Sequence, residues 1–143
     1  MRRTLATTLL ILAAGGLTPA TGQPSRDQFQ GLGETVVPAN NLLRVIWRET
    51  EGEWTGAWSP APGSDGNGAY RAVWHKGRER ASADLQITIT GATVTVVRTQ
   101  AEGRCTYHGN LQSSQAQGRV WATGVYRCDW APRTLRWRAT IIG

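Results

Sequence analysis

The sequence predicts an all-β fold: a small antiparallel up-and-down β-barrel of about eight strands with one disulfide. Three observations predict it. From Leu42 onward nearly every segment alternates apolar and polar residues with period two, and turn residues interrupt the alternation at short intervals. The stretch Cys105-Thr106-Tyr107-His108-Gly109 is mirrored by Gly124-Val125-Tyr126-Arg127-Cys128, so one antiparallel register sets Cys105 against Cys128, Tyr107 against Tyr126 and Gly109 against Gly124. Finally, a meander of short connections leaves two exposed sheet edges unless it closes on itself.

The chain begins with a short positive segment, Met1-Arg2-Arg3, an apolar run from Leu5 to Leu17 and the small residues of Thr18-Pro19-Ala20. This layout predicts a signal peptide over residues 1–20, since the run is shorter than the ~20 residues that span a bilayer. The expected location is secreted or periplasmic, with no membrane span and no nucleic-acid partner. Without Arg2 and Arg3, fourteen basic residues face ten acidic ones, a modest +4 that permits an acidic partner without demanding one. Residues 21–41 hold no sustained period and are expected to form an extended N-terminal segment, leaving 42–143 as the barrel domain.

The first strand is expected over Leu42 to Glu49, with Leu43, Val45 and Trp47 on one face. A turn at Glu51-Gly52 leads to a second strand, Glu53 to Ser59, in which Trp54, Gly56 and Trp58 share a face. After a loop from Pro60 to Gly68, a third strand runs from Ala69 to His75. Pairing large with large sets Trp54 against Trp74, Gly56 against Ala72 and Trp58 against Tyr70. The next hairpin turns at Gly91-Ala92, where Gly in first position suits a type II′ turn. It pairs Ile89 with Val94 and Ile87 with Val96, and carries Arg98 inward opposite Leu85. The mirrored strands follow, and the last, about Arg133 to Ile142, turns Leu135, Trp137, Ala139 and Ile141 inward.

Chemistry-bearing motifs are sparse. In an exported chain Cys105 and Cys128 read as a disulfide. His75 and His108 both fall on outward positions, so no metal site is expected. No nucleophile elbow, zinc-protease motif or phosphate loop is present, and the expectation is a protein that is not an enzyme and uses no cofactor. Glu49, Glu51 and Glu53 form an acidic cluster that reads as a solvated turn. Asp65-Gly66-Asn67-Gly68 lacks the ligand count of a calcium loop.

The inward set holds the clearest functional signal. Trp54, Trp58, Tyr70, Trp74, Tyr107, Tyr126 and Trp137 are spaced by Gly56, Gly109 and Gly124, which suits either a packed core or an aromatic-walled cavity. With Arg98, which needs a partner on an inward face, the ligand-binding candidates are Trp54, Trp58, Tyr70, Trp74, Arg98, Tyr107 and Tyr126, for a small apolar or acidic ligand. Outside, Arg119, Trp121 and Arg127 share a face of one strand and Arg136 and Arg138 a face of the next, a candidate surface for an acidic glycan or protein.

Trp54-Thr55-Gly56-Ala57-Trp58, together with Arg136-Trp137-Arg138, resembles the lipocalin and avidin class of small secreted barrels. By that resemblance Gly56 and Trp58 take the Gly-x-Trp positions, and Arg136 or Arg138 becomes the arginine that packs on the tryptophan. Gly124 to Cys128 and Trp137 to Ile141 also resemble segments of small exported bacterial proteins of unknown function. The expected function is an exported, non-enzymatic binding protein with an aromatic-lined barrel interior or rim. The alternative is an interaction or inhibitor module working through the outer Arg/Trp face.

Overall fold

The computed structural model describes residues 28–30 and 36–143, so the expected signal peptide and much of the segment after it lie outside the described residues. Gln28–Gln30 (β1) and Val36–Pro38 (β2) pair in a two-stranded sheet of their own, followed by one helical turn, α1 (Ala39–Leu42). Eight strands then close into a barrel: β3 (Trp47–Glu51), β4 (Trp54–Pro60), β5 (Ala69–Lys76), β6 (Glu79–Thr90), β7 (Thr93–Gln100), β8 (Gly103–Ser114), β9 (Arg119–Cys128) and β10 (Ala131–Ile142). Each pairs antiparallel with the next, and β10 pairs with β3 to remove the last edge.

Where short turns join the strands, the registers follow the sequence. Ile89 faces Val94, Ile87 faces Val96 and Arg98 faces Leu85 across β6 and β7, with Gly91 at a positive φ of 59°. Cys105 faces Cys128, Tyr107 faces Tyr126 and Gly109 faces Gly124 across β8 and β9. The two cysteines form the disulfide, a cross-link worth about 3 kcal/mol on the loop-entropy model.

Three expectations are corrected. The chain does not enter the first strand at Leu42. Pro38 leads into α1, Leu42 is buried against the core, Val45 and Ile46 are exposed, and the strand begins at Trp47. Next, β4 and β5 pair two residues away from the large-on-large register. Gly56 faces Trp74, Trp58 faces Ala72, and Tyr70 faces Pro60. Size complementarity decides this: a Cβ on Gly56 would overlap the Trp74 indole, which lies across the bare Cα. Lastly, Leu135 keeps the inward phase of Trp137 and faces Tyr126, but it is 42 % exposed because it lines the pocket at the end of the barrel and is not in the core.

The barrel interior is filled. Trp47 stacks on Trp58 at 5.8 Å, Trp58 on Trp137 at 5.8 Å, and Tyr107 on Tyr126 at 4.6 Å between ring centroids. Tyr107 meets both Trp58 and Trp137 edge-on, at 5.9 and 5.5 Å. Eight strands enclose just enough room for side chains, and here the large rings occupy it. The glycines make the stacks fit: a Cβ on Gly109 would sit 2.6 Å from the Thr123 carbonyl oxygen and 2.7 Å from Trp137. Gly109→Ala is therefore expected to cost about 1–3 kcal/mol through overpacking, read as a lower urea midpoint. An unchanged midpoint would remove the close approach from the argument.

Candidate functional site

The two ends of the barrel differ. At one, α1 forms a plug. The Leu42 carbonyl accepts from Trp47 Nε1 at 2.8 Å, and the Tyr70 hydroxyl donates to the Val45 carbonyl at 2.8 Å. These bonds satisfy backbone acceptors that would otherwise be lost to water as the chain crosses the barrel mouth.

The other end is formed by the hairpin turns at 52–53, 77–78, 101–102 and 129–130, and it stays open. There Trp54, Trp74, Tyr126 and Trp130 wall a pocket of about 250 Å³, and Arg98 and Glu51 supply its charged groups. Arg98 lies 4.2 Å over the Trp74 ring, donates from Nε to Gln100 Oε1 at 2.6 Å, and donates from an η nitrogen to the Tyr107 hydroxyl at 3.2 Å. A half-buried guanidinium is thus held by a ring face and two polar partners. Glu51 accepts from the Tyr126 hydroxyl. Burial pushes the Glu51 carboxyl up, opposed by that bond and by Arg98. Burial, reinforced by the neighbouring Glu51, also raises Tyr126.

Beneath the pocket sits Glu49, 1 % exposed. Its Oε2 accepts from Trp58 Nε1 at 2.8 Å and also from Trp74 Nε1, while its Oε1 is buried without a partner among the described residues. Burial drives its pKa up to about 7 against the pull of the two indoles, with the Glu51 charge adding to the rise. Burial, then the Glu49 charge, likewise raises Tyr107. The solvated turn expected at Glu49, Glu51 and Glu53 is therefore corrected for its first two members. Trp47 points inward, so period two carries Glu49 and Glu51 inward too, and only Glu53 is exposed, in a 3.3 Å ion pair with Lys76.

Of the ligand-binding candidates, Trp54, Trp74, Arg98 and Tyr126 meet at the open end. Trp58, Tyr70 and Tyr107 are core residues, each 1 % exposed or less, and do not reach it. An aromatic-lined cavity along the axis is thus replaced by a rim pocket. Sequence reasoning missed Glu51, Gln100, Leu135 and Trp130 in that rim. The signal for Trp130 was its place in the turn directly after Cys128, which ties it to the disulfide-bonded strand end.

On the outer surface β9 and β10 adjoin, which brings Arg119, Trp121, Arg127, Arg136 and Arg138 onto one wall. Arg138 lies 5.6 Å over the Trp121 ring, and both Arg136 and Arg138 are exposed rather than packed on Trp58, the arrangement that the barrel resemblance implied. His75 and His108 are exposed, and no cluster of metal-binding residues occurs among the described residues. Asp65 pairs with Arg44, and Asn67 Oδ1 accepts from the Ala69 amide at 2.9 Å, so that loop uses its own oxygens. No helix among the described residues is long and apolar enough to cross a membrane.

Comparison with models of known families, with curated proteins and with solved structures finds no match to this chain.

The carboxyl beneath the pocket makes stability depend on pH. Its folded pKa of about 7 lies above the ordinary 4.5, so between those values the native state holds more protons than the unfolded chain. Its contribution is complete below pH 4.5, falls as pH rises toward 7, and is flat beyond, with a total of about 3 kcal/mol. Glu51 acts in the same direction. Urea denaturation across this range is expected to show stability declining with pH, and Glu49→Gln is expected to flatten most of the decline. A wild-type profile that rises over the same interval would contradict the assignment.

Proposed function

We propose that the protein is an exported, non-enzymatic binding protein that takes a small ligand at the open rim of its barrel. The observation that carries this reading is the convergence of Arg98 and Glu51 beneath walls of Trp54, Trp74, Tyr126 and Trp130. A concave, largely aromatic site with a few placed polar groups is the usual build of a small-molecule site. All of these residues except Trp130 stand on barrel strands, whose pairing fixes them before a ligand arrives.

The pocket volume of about 250 Å³ suits a single-ring molecule. Trp54 and Trp130 offer faces for the ring, and Arg98 offers donors for an acidic group. Two of its five N–H groups are engaged, by Gln100 and Tyr107, which leaves others for a carboxylate. A catalytic role is disfavoured by the same inventory. The pocket carries no nucleophile beside a base: the sulfur of Cys128 is in the disulfide, Glu51 is bonded to Tyr126, and Glu49 does not line the pocket. Export to a secreted or periplasmic location is supported by the leader-like first residues and by the disulfide.

Ligand-observed NMR against a panel of monocyclic aromatic carboxylates and their neutral amides tests the reading. Carboxylates are expected to bind better than the amides, with Trp130→Ala weakening them by about tenfold, as loss of a stacking wall would. Trp121→Ala, on the outer wall, is expected to leave them unchanged. Binding by no member of the panel, or binding indifferent to Trp130→Ala, would overturn the proposal.

A further inference from the structure

We infer that the outer wall formed by β8, β9, β10 and β3 is a second, separate binding surface, and that it takes an acidic polysaccharide. The inference is independent of the rim pocket, since none of its residues lines that pocket.

Charge is distributed unevenly around the barrel. β8, β9 and β10 contain no aspartate or glutamate, and both acidic side chains within the bounds of Trp47–Glu51 turn inward. The outward positions of these four neighbouring strands instead present Arg48, Arg104, Arg119, Arg127, Arg136 and Arg138, all exposed. None of the six is in an ion pair among the described residues. On the opposite side acidic residues accompany the cations: Arg71 pairs with Asp84 at 3.2 Å, Lys76 pairs with Glu53 at 3.3 Å, and Glu79 stands beside Arg80 on β6. A wall of unneutralised arginine next to a balanced one produces a directed field, and that field favours a polyanion on one side only.

The spacing suits a chain rather than a single ion. Arg136 and Arg138, two apart on β10, stand roughly 7 Å from one another, and the registers set Arg127 and Arg48 on the diagonals beside them, so these groups form a stripe across the wall. Each presents a planar fork that matches a carboxylate or sulfate.

The ground between the arginines points to a sugar polymer. It carries Thr50, Thr123, Thr140, Asn110 and Gln112, which are neutral partners for hydroxyl groups, and Trp121 faces Gln112 on one side and Thr140 on the other. Arg138 sits over the Trp121 ring, so an aromatic face and a cation are joined in one spot. A sugar ring that bears an acidic group offers both an apolar face and an anion to such a spot. An anionic membrane fits less well. The exposed large aliphatic side chains of these strands, Val125 on β9 and Leu135 and Ile142 on β10, are scattered singly and do not form a patch that could insert among lipid chains.

The test measures binding of the intact protein to polygalacturonate, with neutral dextran, polyaspartate and phosphatidylglycerol vesicles as comparison probes. Polygalacturonate is expected to bind, and to weaken as salt rises. Arg136→Gln with Arg138→Gln is expected to weaken it by about tenfold, while Arg71→Gln with Arg80→Gln, which removes the same charge from the opposite wall, changes it less than about twofold. Trp121→Ala is expected to weaken polygalacturonate severalfold and to leave any polyaspartate binding unchanged. Circular dichroism of each variant checks that the barrel is intact. Equal losses from the two double variants would show only a response to net charge and would overturn the inference. A preference for vesicles or for polyaspartate over the polysaccharide would overturn it as well, as would failure of polygalacturonate to bind.

Discussion

A single buried carboxylate organises this barrel. Glu49 stands on β3 and accepts indole N–H groups from Trp58 on β4 and Trp74 on β5, so three successive strands meet at one oxygen. Both indoles are also engaged through their ring faces. Trp58 stacks on Trp47 and Trp137, and Trp74 supports Arg98. Without the acceptor, two buried N–H donors would be left unsatisfied in a dry interior, at about 1–3 kcal/mol each. The cost on the other side is the desolvation of Glu49 itself, visible in its raised pKa. The carboxylate thus gives up some stability and gains a defined geometry. It fixes the Trp74 ring at the level where the packed interior ends and the open rim begins.

Around that centre, size complementarity sets the packing. Glycines lie where rings cross the neighbouring strand: Gly56 under Trp74, and Gly109 under Trp137. Across β4 and β5 the pairing is large against small, whereas Trp47 faces and stacks on Trp58, and Tyr107 on Tyr126, directly across their strand pairs. A barrel of eight strands has little interior room, so a ring that folds across a neighbouring strand needs a small residue beneath it. Removing the Cβ from one partner gives that room, and it ties the sequence to one register because a slip of two residues would put a Cβ where a ring must lie.

These constraints explain what the sequence revealed and what it hid. The β6–β7 and β8–β9 registers were legible because a short turn in one, and a mirrored Cys, Tyr and Gly series in the other, leave little freedom for slippage. The β4–β5 register was not, because the loop between Pro60 and Ala69 sets no phase and cross-strand preference alone chose the wrong partner. Glu49 was hidden by chemistry rather than pattern. Period two from Trp47 placed it inward, but a glutamate beside Glu51 and Glu53 looks like a solvated turn unless its two indole donors are known, and those arrive from strands remote in sequence. Trp130 was obscure for a local reason, since it lies in the turn before the irregularity between Ala131 and Leu135, outside the alternation on which such reading depends. Trp54, Trp74, Arg98 and Tyr126 lie together at the rim, while Trp58, Tyr70 and Tyr107 lie in the filled interior.

The use of tryptophan separates what the fold requires from what it leaves over. Trp47, Trp58, Trp74 and Trp137 are buried, and with Tyr70, Tyr107 and Tyr126 they fill the interior. Trp54, Trp121 and Trp130 each keep part of their surface in contact with solvent, Trp54 while packing against the core. A large ring left at the surface forgoes much of the burial that tryptophan contributes to folding, so its position is informative in a small domain with so limited an interior. Two of the three stand at the open rim beside Arg98, and the third lies under Arg138 on the cationic wall. Each of these rings is therefore near an arginine. The same pairing of ring face and guanidinium, used once at the mouth and once on the wall, is what the rim pocket and the outer surface share.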